Sequence, residues 1–296
     1  MSAERNHSGL RRAWHHRPWV ALVAVLIALS GCSALQLGYN NADTLLHWRG
    51  GQYFDFQGEQ KADFERRVQR FLAWHRKSEV PGYARLAEEL AQRLARGVSQ
   101  ADLVWGYDAF QAQLRRSLRA GTTEIGPLLD GLSAAQIERF QDRLEKENRD
   151  FAKEYGLGES PEDRRSMRVT RNIKRLEDWF GPLTDAQIER IQAYSTKAPL
   201  DVEYHDRDRK RLQRELLDML RAKETRQKLV QWAVAWDQNR DPVFEALRKE
   251  NLREYYSMLL DLDKTLSPDQ RTRAVKRLRG FGDDFTALAA AAGVAR

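Results

Sequence analysis

Apolar residues return every three or four positions through most of the chain after residue 56, with polar and charged residues between them. Phe64, Val68, Phe71 and Leu72 make one such face, and Tyr83, Leu86, Ala87, Leu90 and Leu94 the next. Leu103, Tyr107, Phe110, Leu114 and Leu118 follow, then Ile137, Phe140, Leu144, Phe151 and Tyr155. Val169, Ile173, Leu176 and Phe180 continue the series, which runs on through Leu212, Leu216, Leu229, Trp232, Leu259 and Leu262 to Val275, Leu278 and Phe285. This is the period of one face of an α-helix, since 3.6 residues complete a turn. The intervening positions are dominated by Ala, Leu, Glu, Arg and Gln, which lose little side-chain freedom in a helix. No stretch sustains the alternation of a half-buried strand. The pattern predicts an all-α protein: an elongated bundle of about nine or ten helices, a first group ending near Gly131 and a second starting at Leu132, packed as two sub-bundles.

Residues 32–55 break this pattern. Leu35, Leu37, Tyr39, Leu45, Leu46, Trp48, Tyr53 and Phe54 make the stretch too apolar for a free linker. It predicts a short helix from about Asn41 to Arg49, lying either on the body or at a membrane surface. The expected organisation is therefore 1–31, 32–55 as a tether, and 56–296 as the helical domain.

Several helices share one kind of entrance. Leu132-Ser133-Ala134-Ala135-Gln136 recurs as Leu183-Thr184-Asp185-Ala186-Gln187 and as Leu266-Ser267-Pro268-Asp269-Gln270. In each, a hydroxyl can cap the first turn while the Gln three residues on reaches back to the cap's own N–H. The preceding Leu can staple onto Ile137 or Ile188; in the third copy Arg271 holds that place, and Pro268 favours the helix start instead. Phe56-Gln57-Gly58-Glu59-Gln60 is a degenerate copy without the capping hydroxyl, and Val98-Ser99-Gln100-Ala101-Asp102 one with Asp for Gln. Spacings between copies are too irregular for a solenoid.

These entrances resemble the LTxxQ motif of small helical periplasmic stress proteins, which act as chaperones or as adaptors of envelope sensing. A capping box is also what many unrelated helices need. A broader likeness rests on Leu72-Ala73-Trp74-His75-Arg76, continuing through Glu79-Val80-Pro81 to Tyr83, and on Trp179-Phe180-Gly181-Pro182-Leu183-Thr184 ending in Gln187. Together they resemble an uncharacterised family of all-helical bacterial lipoproteins. That resemblance implies a fold and an address and carries no assigned activity.

The address is written more directly in the first 31 residues. Arg5, Arg11, Arg12 and Arg17 precede an apolar run from Trp19 to Leu29, the layout of a secretory signal. The run is well short of the ~20 residues that span a bilayer as a helix. It ends in Leu29-Ser30-Gly31-Cys32, which resembles the bacterial lipobox. The resemblance implies recognition of Leu29, Ser30 and Gly31 by a signal peptidase, cleavage before Cys32, and acylation of that cysteine. Ser33, rather than Asp, next to it favours the outer membrane facing the periplasm in Gram-negative lipoproteins. The other reading is an ordinary signal peptide with an incidental cysteine.

Charge and chemistry narrow the classes further. The chain carries +7; four arginines and one glutamate lie before Cys32, which leaves +4 for the remainder. Acids and bases are interspersed, which argues against a nucleic-acid partner. Cys32 is the only cysteine, so one chain can form no disulfide and the fold must hold through its core. Beyond Cys32 the histidines are His47, His75 and His205, none paired at ligand spacing, so neither a metal nor a cofactor is expected. His75, near a helix end, reads as a packed or capping residue. No small-molecule substrate, phosphate loop or nucleophile elbow is indicated. The candidate binding surface is a stripe, Arg164, Arg168, Arg171 and Arg175, repeated in outline by Arg207, Arg211, Arg214 and Arg221. It would suit anionic lipid or an acidic protein, and a solvated helix face is the alternative.

The functional expectation is a lipid-anchored, non-enzymatic interaction module of the periplasm, chaperone-like or adaptor, with an envelope protein or lipid as partner. The alternative is a structural factor binding lipid surfaces through its arginine stripes. Third comes an envelope hydrolase, which a polar pocket with converging titratable groups would favour.

Overall fold

The computed structural model describes residues 33–294, which form α-helices joined by short turns. The segments read as signal and lipobox, with Leu29, Ser30, Gly31 and Cys32, lie outside the described residues. Helices α1 (Ala34–Asn40) and α2 (Ala42–Phe54) occupy the tether. Then come α3 (Gly58–Ser78), α4 (Val80–Ala95), α5 (Gln100–Leu129) and α6 (Ala134–Tyr155). Next are α7 (Pro161–Phe180), α8 (Asp185–Lys197) and α9 (Val202–Ala222). Finally come α10 (Thr225–Val234), α11 (Pro242–Asp263) and α12 (Pro268–Val294). The protein is all-α, and among the described residues twelve helices replace the nine or ten expected. The tether accounts for part of the difference. Ser33 caps α1, its Oγ accepting from Gln36 N at 3.2 Å, and α2 runs on to Phe54, past Arg49. Among the described residues no helix is long and apolar enough to cross a membrane.

The capping boxes form as the spacing predicts. Gln136, Gln187 and Gln270 accept through Oε1 from the N–H of Ser133, Thr184 and Ser267 at 2.9, 3.0 and 3.1 Å. The three hydroxyls accept in turn from the glutamine N–H groups. Ser99 and Asp102 close a fourth box. What spacing does not predict is that the entrances pair. Gln187 Nε2 donates to Gln270 Oε1 at 2.9 Å, and Gln270 Nε2 donates back at 3.1 Å. Gln136 pairs with Gln60 of the degenerate copy, Nε2 to Oε1 at 2.8 Å.

Two apolar cores lie beside these pairs. The first gathers Phe56, Leu128, Leu129, Leu132, Ile137, Phe140, Leu217, Leu220 and Leu229 from the α2–α3 turn and from α5, α6, α9 and α10. The second gathers Leu176, Ile191, Tyr194, Ala198, Met258 and Leu262 from α7, α8 and α11. A division at Gly131 does not hold, because the first core takes residues from both sides of it. Burial of a large side chain contributes about 1.5–3 kcal/mol, and chain order does not decide which helices supply it. Both cores are built from residues between Phe56 and Leu262.

Two antiparallel contacts frame the functional region. Along α12 and α4, Arg271 Nη1 meets Leu94 O at 2.7 Å, and Gly282 faces Ala84 and Ala87. Along α5 and α10, Thr225 Oγ1 donates to Gly126 O at 2.7 Å, while Arg115 reaches Val234 O and Asp237. A Cβ at Gly126 would stand 3.0 Å from the Thr225 carbonyl oxygen, so the close approach requires glycine there.

Candidate functional site

Where α1 crosses the α3–α4 junction, the bundle leaves a groove of about 590 Å³. That is within the ~300–1,000 Å³ of small-molecule sites. Helix α4 supplies Leu86, Ala87 and Leu90, α5 supplies Phe110 and Leu114, α7 supplies Trp179, and α12 supplies Leu278, Phe281 and Phe285. Trp179 packs edge-on against Phe281, and Phe285 against Tyr83, at the walls. Phe110 stands 58% exposed at the rim, unusual for a residue of that size.

One wall is polar, and its groups satisfy one another. His75, in the last turn of α3, bonds through Nδ1 to Tyr39 Oη at 2.8 Å and through Nε2 to Tyr83 Oη at 3.1 Å. Tyr83 Oη in turn meets Ser117 Oγ at 2.9 Å. A neutral imidazole, one nitrogen donating and one accepting, matches this chain. Burial pushes the His75 pKa below its ordinary value, and Glu79 pulls weakly the other way. Burial also raises the Tyr39 phenol, against the lowering influence of Arg76. Ser117 thus meets a phenol rather than the imidazole. Glu79, buried beneath, is held by Arg116 Nε at 3.0 Å. His75 is packed, as the sequence predicts, with two tyrosines as partners that the sequence does not name.

Gln113 is the exception on the wall. It is only 8% exposed and lines the groove, yet its Oε1 has no hydrogen-bond partner. Elsewhere, no group of three or more His, Cys, Asp or Glu is placed to hold a metal ion among the described residues.

The arginine stripe on α7 is largely turned to internal use. Arg168 donates to the carbonyls of Ser195, Ala198 and Pro199 at 2.7, 2.8 and 3.0 Å, closing the C-terminal end of α8, and its burial lowers its pKa. Arg164 pairs with Glu203, and Arg171 reaches Glu154 O at 3.3 Å beside the Tyr155 ring. Arg175 is the exposed member. On α9, Arg211 is bonded to Asp208 and Glu215, and Arg221 to Gln141. The α7 face that looks cationic in sequence is thus mostly a seam between helices, whereas on α9 Arg211 pairs within its own helix and Arg207 and Arg214 are exposed. Periodicity places charges on a face without showing which neighbour covers it.

The two stretches that carry the lipoprotein likeness converge here, for His75, Tyr83 and Trp179 all line the groove. The model of a family described as "Family of unknown function (DUF6279)" matches residues 52–239. Tyr39, Leu278, Phe281 and Phe285 lie outside that span. No curated protein and no solved structure matches the chain.

Proposed function

We propose that this chain, which belongs to the DUF6279 family, is a lipid-anchored protein of the bacterial envelope and a non-enzymatic binding module whose site is the α4–α5–α12 groove. The groove carries the reading. It offers a continuous apolar surface, and its one imidazole is spent on two phenols rather than on a nucleophile. An exposed apolar surface of this kind is characteristic of an interaction site. The chaperone-like and adaptor versions both use it, since each needs a place for an apolar segment of a partner.

The anchor rests on Leu29-Ser30-Gly31-Cys32. Two or more acyl chains hold a protein stably at a membrane, each buried methylene contributing ~0.8 kcal/mol. Cys32→Ala is expected to leave an unprocessed precursor without acyl label; normal processing and labelling of that variant would refute the anchor. A client-aggregation assay with residues 33–296 tests the chaperone version. Suppression at stoichiometric amounts is expected, and its absence overturns that version.

Lipid-surface contact is favoured at a different place from the stripes. Leu37, Leu45 and Trp48 stand about half exposed on α1 and α2, immediately after the proposed anchor. Such a face suits the headgroup boundary of a bilayer. Flotation of residues 33–296 with anionic vesicles should fall with Trp48→Ser; equal flotation of both proteins would contradict this contact.

A further inference from the structure

We propose that the groove binds a single long acyl chain with an anionic head, a fatty acid, as its ligand. This rests on the groove being the binding site, as set out under Proposed function, and goes beyond it by naming the ligand class.

Polarity points to a hydrocarbon chain. A peptide that buried its backbone in the groove, rather than inserting apolar side chains alone, would bring an N–H and a C=O at every residue, and each must find a partner. The groove has almost none to give. Tyr39, His75, Tyr83 and Ser117 are consumed by one another, which leaves the Gln113 amide. A hydrocarbon chain asks for no such partners. The size of the groove agrees. A methylene displaces about as much volume as a water molecule, ~30 Å³, so a chain of about sixteen carbons needs ~480 Å³. The groove of about 590 Å³ has room for one such chain.

The rim is positively charged. Two lining aromatics carry a guanidinium on the outside: Arg76 lies 5.1 Å from the Tyr39 ring centroid and Arg277 4.8 Å from that of Trp179. Arg76 donates to the Asn40 side chain at 2.9 Å, and Arg277 donates to the Asp178 carbonyl. Among the described residues neither has a carboxylate partner, whereas their neighbours Arg116 and Arg279 are matched with Glu79 and Glu88. Carboxylate-free arginines beside an apolar slot suit an anionic head group.

The test is native mass spectrometry of delipidated residues 33–296 with hexadecanoate, with fluorescence quenching by a bromo-fatty acid as the second readout. One bound molecule per chain is expected. Phe110→Asp, at an exposed position that leaves the fold intact, should weaken binding about tenfold through a lost rim contact and a repelling charge. Leu86→Trp should abolish it by filling the slot, and Arg76→Glu with Arg277→Glu should favour hexadecanol over hexadecanoate. Hexadecanoate binding that ignores all these changes overturns the proposal. If an apolar peptide binds competitively with a neutral apolar probe while hexadecanoate does not, the fatty-acid assignment falls and the groove stands. If peptide, probe and hexadecanoate all fail to bind, both fall.

Discussion

Gln187 and Gln270, 83 residues apart, exchange two side-chain amide hydrogen bonds in the interior of the bundle while each also completes a capping box. Gln187 is fully buried, and its Nε2 also reaches the Thr265 carbonyl at 3.1 Å. One side chain therefore starts α8, fastens it to the start of α12 and satisfies a partner that has no water to turn to.

Gln187→Ala removes a cap contribution of about 1 kcal/mol and strands a buried amide at about 1–3 kcal/mol. A loss of about 2–4 kcal/mol in urea unfolding is expected. Gln136→Ala breaks the half-exposed pair with Gln60, where water can substitute, and should cost about 1 kcal/mol.

Arg168 and Arg175 sit two helical turns apart on α7 and should behave differently. Arg168→Ala strands three carbonyls at the end of α8 and is expected to destabilise by about 2–4 kcal/mol. Arg175→Ala, at an exposed position, should stay within about 0.5 kcal/mol. Equal effects of the two in thermal melts would contradict the seam.

Gly126→Ala tests the crossing of α5 and α10. The added methyl meets the Thr225 backbone carbonyl at 3.0 Å, where no flexible side chain can yield. A loss of about 1–3 kcal/mol is expected, despite the better helix propensity of alanine.

Stability should depend on pH through the half-buried imidazole of His75. Burial lowers its pKa, against a weaker opposing pull from Glu79. The unfolded chain then binds more protons than the folded one below the ordinary value of 6.5. Its contribution is complete above that value and is lost as pH falls from it through the folded pKa. His75→Phe with Tyr39→Phe should flatten the slope of melting temperature in this window. Asp102 acts at lower pH: Ser99 hydrogen bonds, then Arg93, hold its carboxyl well below the usual carboxylate range. Its contribution is present above 3.8 and fades as pH drops further.

Local features were legible in the sequence because local physics decides them. The capping boxes at Ser133, Thr184 and Ser267 follow from hydroxyl-to-glutamine spacing, and the helices from their apolar period. The pairing of Gln187 with Gln270 was not legible, since nothing in either entrance encodes its partner across more than eighty residues. For the same reason the arginines of α7 read as a free face, although the α8 carbonyls that take up Arg168 arrive from a later helix. The groove was half legible. His75, Tyr83 and Trp179 stood out within the two lipoprotein-like stretches, but a void appears only when six helices fail to close over it.

The most direct test of the groove as the binding site is titration of residues 33–296 with a neutral, environment-sensitive apolar fluorophore, alongside Leu86→Trp. The account predicts one saturable site per chain in the parent protein, lost in the variant while its unfolding midpoint is kept. A parent protein with no saturable site, or a variant that binds the probe as well as the parent, would contradict it.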